Sequence, residues 1–86
     1  MTLIEEIEIK QKKFNLREWI LSELKNFESK YGMITKDFIE KWTSNEIPEP
    51  EEHALLQEFL EWEGLSISLQ KVESELKEIE KRIKES

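Results

Sequence analysis

The chain has 86 residues, no cysteine, and 20 acidic against 13 basic side chains, for a net charge of −7. That length makes one small domain with a marginal core, and the missing cysteines rule out disulfides and thiolate metal sites as reinforcement. The acidity excludes nucleic-acid binding through the overall field and suits a basic protein as partner, besides serving solubility.

Residues 1–14 carry two patterns. Ile7 and Ile9 alternate with Glu8, Lys10 and Lys12, as in a half-buried strand, while Leu3, Ile7 and Phe14 also fit a helical stripe. Asn15 and Glu18 then form an Asn-x-x-Glu capping box, with Phe14 and Trp19 placed as a hydrophobic staple. This signal predicts a helix from Leu16 and leaves residues 3–12 as a short strand or an extended arm. The inner face of the helix is Leu16, Ile20, Leu24, Phe27 and Tyr31, and Gly32 supplies a left-handed stop.

The same grammar repeats at Thr35, an expected N-cap between Ile34 and Ile39, which opens a short helix over 36–43. Pro48 and Pro50 prevent its continuation. Pro50, with Glu49, Glu51 and Glu52 around it, suits the first turn of a third helix, expected over 50–84. Unbroken, that helix would span roughly 52 Å, whereas a compact chain of this length is about 31 Å across. It must bend, with Gly64 as the natural place, or project. The expected core is Trp19, Ile20, Leu24, Phe27, Phe38, Trp42, Leu56, Phe59 and Trp62.

Beyond Gly64 the apolar surface narrows to Leu69, Val72, Leu76, Ile79 and Ile83, spaced alternately by three and four. Such spacing averages about 3.5 residues and draws a coiled-coil seam that needs another helix or another protein to cover it. The expected architecture is mainly α: two short-to-medium helices and one long C-terminal helix. Residues 1–64 would form the small helical core and 65–86 a projecting interaction segment. The flanking acids Glu73, Glu75, Glu78 and Glu80 would steer a basic partner. Glu73 with Lys77, Glu78 with Arg82, and Glu80 with Lys84 also stand in the favourable i,i+4 order.

Catalytic and cofactor chemistry finds no motif. His53 is the only histidine, short of usual zinc ligation, and Gly32 and Gly64 stand alone rather than in a phosphate loop. No cofactor and no enzymatic activity is expected. The basic cluster Lys10, Lys12, Lys13 and Arg17, if its first part is a strand followed by two helices, resembles the ribbon-helix-helix architecture, in which paired strands enter a DNA groove. Glu5, Glu6 and Glu8 dilute its charge. No apolar run approaches the roughly 18 residues of a membrane span, and no signal-peptide pattern opens the chain, so a cytoplasmic location is expected.

One stretch carries a family likeness. Lys30-Tyr31-Gly32-Met33, Thr35, Phe38 and Trp42, the Glu46-Ile47-Pro48 loop, and Glu58-Phe59-Leu60-Glu61-Trp62-Glu63-Gly64-Leu65 resemble small acidic helical antitoxin-like proteins of archaea and bacteria. The likeness covers a little under half the chain, mostly at packing positions. It implies an antitoxin that holds a small basic toxin, such as a ribonuclease, inactive, with the C-terminal helix as the expected contact. The other readings are a coiled-coil homodimer of structural or adaptor type, and a DNA-binding regulator.

Overall fold

The first helix starts at Thr2 rather than Asn15. Thr2 is extended (φ −83°, ψ 159°), its hydroxyl accepts the Glu5 N–H, and the Glu5 carboxylate accepts the Thr2 N–H. This reciprocal capping box opens α1, which runs without a break from Leu3 to Tyr31. The expected strand or arm over 3–12 is therefore helix. Asn15 sits in mid-helix, where its Oδ1 accepts from Gln11 Nε2 at 3.1 Å. Asparagine inside a helix costs only a few tenths of a kcal/mol more than most residues, so packing along α1 outweighs the local break signal. The second helix, α2, is Thr35–Thr43, and the third, α3, is His53–Glu85, so Pro50 precedes the third helix instead of standing in its first turn. The computed structural model describes residues 2–85, so the outermost residues of the expected segments 1–64 and 65–86 lie outside it. Among the described residues there is no strand, and the chain is mainly α.

α1 and α3 pack antiparallel along their lengths. Ion pairs fix the register in reversed order: Arg82–Glu6, Lys10–Glu80, Lys13–Glu75, Arg17–Glu73 and Lys30–Glu58. The resulting hairpin measures 51 × 20 × 19 Å, with a radius of gyration of 16.3 Å against the roughly 12 Å of a compact chain of this length. The distal part of α3 is paired with the N-terminal half of α1, and α3 continues through Gly64 without interruption.

The core fills the base of the hairpin, where α2 closes over it. Trp62 stacks on Phe38 with ring centroids 3.9 Å apart, and on Phe27 and Tyr31 at 5.5 and 5.7 Å. Phe59 meets Phe38, Trp42 and Tyr31 edge-on at 5.3–5.5 Å. Ile20, Leu24 and Val72 complete the buried cluster. Trp19 is not part of it and is 54% exposed. Each helical residue turns about 100° from the last, so once Ile20, Leu24 and Phe27 face α3, Trp19 is carried to the flank. Leu56 lies beside the core, half-buried in a small cleft with Trp42, Ile47 and Leu60.

The turn between α1 and α2 explains two further residues. Gly32 has φ +64°, and its N–H bonds the Glu28 carbonyl. An added Cβ there would meet nothing, so the backbone conformation, not space, selects glycine. Thr35 is the first residue of α2, not its cap. Its N–H donates to Glu28 Oε2 at 2.7 Å, and its hydroxyl accepts from Trp62 Nε1 at 2.9 Å. The buried indole has taken the oxygen that capping would have used.

Candidate partner-binding surfaces

The C-terminal seam faces α1. Val72 and Ile79 are 4% and 2% exposed, and Leu69, Leu76 and Ile83 are half-buried. The stripe of α1 opposite the distal seam is largely polar: Glu6, Lys13 and Arg17 line up with Ile9 on that side. Long charged side chains can cover apolar surface with their stems while the heads reach water or a counter-charge. Here the heads reach carboxylates, with Lys13 Nζ 2.7 Å from Glu75 and Arg17 Nε 3.5 Å from Glu73. Glu6, nearly buried, has Arg82 Nε at 3.3 Å.

This arrangement relocates several candidate residues. Of the basic cluster, Lys10 and Lys13 pair with Glu80 and Glu75, and Arg17 pairs with Glu73 and Glu18, while Lys12 is exposed and forms no ion pair among the described residues. Their backbone is helical, so the strand on which a ribbon-helix-helix arrangement depends is not formed. Glu73 and Glu80, expected to pair along α3, reach across to α1; Glu78 is exposed.

Two ionic contacts shift titration. Lys30 and the Tyr31 hydroxyl both bond the Glu58 carboxylate. The bond from Lys30, then that from Tyr31, holds the Glu58 carboxyl below the usual glutamate range. Burial, followed by the bond to Glu58, pushes the Tyr31 phenol up. The Glu75 carboxyl is lowered by the hydrogen bond from Lys13. Both contacts join α1 to α3. Among the described residues, no group of three or more His, Cys, Asp or Glu could hold a metal ion.

What the hairpin leaves open is apolar surface. Where the three helices meet, a groove of about 870 Å³ has a floor of Leu21, Leu24, Ile39 and Leu69. Its rim sets Glu18, Glu28, Glu40 and Glu73 against Lys25 and Lys36. Beyond the groove, Leu3, Ile7 and Phe14 form a stripe on the flank of α1, 50%, 51% and 45% exposed. The charge surplus and the seam were legible in the sequence; the groove was not, because α2 must first be placed. The α1 stripe was visible as the competing helical pattern of residues 3–14.

No protein family, curated protein or solved structure matches the chain. Among the described residues, no helix is long and apolar enough to cross a membrane.

Proposed function

We propose that this chain is a non-catalytic binding protein that takes a basic protein partner and silences it, as an antitoxin does its toxin. The observation that carries the reading is the groove between the three helices, an apolar floor under a rim of four carboxylates and two lysines, on a chain of net charge −7. Apolar contact supplies affinity and the unlike charges supply steering and selectivity. A basic amphipathic segment of the partner fits that chemistry. The C-terminal helix contributes Leu69 and Glu73 to the groove. Val72 and Ile79 act from behind, by holding α3 on α1.

The test is co-expression with the product of the adjacent gene, a small basic toxin on this reading, scoring growth and complex formation. Ile39→Lys should abolish both while helicity by circular dichroism is kept. Reversing Glu18 and Glu40 to Lys should slow association and flatten its salt dependence. The reading fails if the adjacent product neither inhibits growth nor binds, or if both variants protect like the parent.

A further inference from the structure

The stripe on the flank of α1 meets the groove floor at Leu21, and its distal residues Leu3, Ile7 and Phe14 are left exposed because α1 turns a largely polar face to α3. Leu3, Ile7, Phe14 and Leu21 lie within about 40° of one another around the helix, because steps of four and seven residues return to nearly the same side. Leu3, Ile7 and Phe14 are about half exposed, and Leu21 is half-buried at the mouth of the groove.

We infer that this flank is the dimer interface of the protein, occupied by α1 of a second copy running antiparallel about a dyad at Phe14. The spacing fits that occupant. Ile7 and Leu21 stand equally far from Phe14 on either side, so an antiparallel copy places Phe14 on Phe14 and Ile7 on Leu21 of the second copy. Such self-complementarity is what a two-fold interface requires. On one margin Gln11 falls beside Glu18 of the second copy, a neutral donor against a carboxylate; on the other Lys10 falls beside Arg17, each already paired with a carboxylate of its own chain, Glu80 and Glu73.

Surface area supports the same occupant. The chain exposes 6433 Å², against about 5,400 Å² for a compact monomer of 10.4 kDa. The surplus of about 1,000 Å² comes from the elongated shape of the hairpin, and it leaves more surface than the roughly 800 Å² per partner that a stable dimer buries. Association would turn two hairpins into a four-helix body and cover the apolar side chains that water now meets.

The interface shares Leu21 and Glu18 with the groove, so the inference is tested on the chain alone, and its failure is distinguishable from that of the proposed function. Sedimentation equilibrium of the full chain should give a dimer, and Phe14→Glu, which sets two charges against each other at the dyad, should give a monomer of unchanged helicity. The chain has no cysteine, so single cysteines report cleanly on register. Under oxidation Phe14→Cys should crosslink to itself, and Ile7→Cys should crosslink to Leu21→Cys in a mixture but not to itself. Lys12→Cys, on the far side of α1, should stay uncrosslinked. Added salt should leave the dimer intact while weakening a complex with a basic partner. A monomer at every concentration overturns the inference. So does self-crosslinking of Ile7→Cys, which marks a parallel pair, or a Phe14→Cys chain that crosslinks only to the basic partner.

Discussion

Thr35 and Trp62 form the buried polar contact on which the base of the hairpin turns, and a double-mutant cycle measures it. Trp62 is 1% exposed, and its Nε1–H has Thr35 Oγ1 at 2.9 Å. Thr35→Val keeps the side-chain shape and the backbone N–H bonded to Glu28 but removes the acceptor. A buried donor left without a partner costs about 1–3 kcal/mol. Trp62→Phe keeps an aromatic ring against Phe38 but deletes three heavy atoms from a full core, at about 2–4 kcal/mol. Once Phe stands at 62, no indole remains to satisfy, so Thr35→Val should then cost less than about 0.5 kcal/mol. The expected coupling is about 1–3 kcal/mol. A domain of 86 residues holds about 4–13 kcal/mol in all, so both single variants stay measurable. With a urea slope near 1 kcal/mol/M, Thr35→Val should move the unfolding midpoint down by about 1–3 M by far-ultraviolet circular dichroism. Costs that simply add would refute the claim that the hydroxyl serves the indole.

Trp19→Ala should change stability by less than about 0.5 kcal/mol, as expected of an exposed position; a loss of several kcal/mol in urea would return Trp19 to the core. Gly32→Ala should cost about 1 kcal/mol in the same assay, since only its left-handed conformation resists the change. Glu58 and Glu75 are both held below the ordinary glutamate pKa, which makes their contribution full at neutral pH. As pH falls through the usual range near 4.3, the unfolded chain takes up these protons first and stability drops. Thermal melts from pH 7 to 3 check this, and Lys13→Met should shrink the acid-side loss.

The sequence reading succeeded where one local signal agreed with packing. Gly32 stops α1, the proline-bounded segment opens onto a long α3, and Phe38 and Trp62 bury together, because nothing downstream competes with those choices. It failed at Asn15, where a well-formed capping box lay inside a segment whose helicity is decided by α3, far away in sequence. The error propagated. A helix that begins at Leu16 is too short to reach along the C-terminal seam, so the sequence alone does not name residues 3–15 of α1 as part of what covers it. The same error promoted Trp19 to the core, since its staple with Phe14 needs the break. Thr35 was misread as a cap for a different reason: capping and satisfying a buried indole call for the same hydroxyl, and only tertiary structure shows which one gets it.

The two helices of the hairpin are mismatched in chemistry, and that mismatch bears on what the molecule can do. Distal α3 presents an apolar seam, yet distal α1 turns Glu6, Lys13 and Arg17 toward it and carries Leu3, Ile7 and Phe14 on its flank. A helix built only to complete this hairpin would do the reverse. The charged stems can seal Val72 and Ile79 while their heads meet Glu75, Glu73 and Arg82, so register is fixed by charge: slipping the hairpin by one turn would set these groups against the wrong partners. Ion pairs that stay partly open to water contribute little stability one by one, and their value here lies in excluding other registers. With register set by charge, the apolar residues of α1 remain available for contacts between molecules. A variant with Leu at 6, 13 and 17 tests this division. It should melt higher, as apolar replacements of ionic groups often do. It should also lose the single register, read as doubled or broadened amide resonances. If the resonances stay single and sharp, charge is not what holds α1 in place on α3.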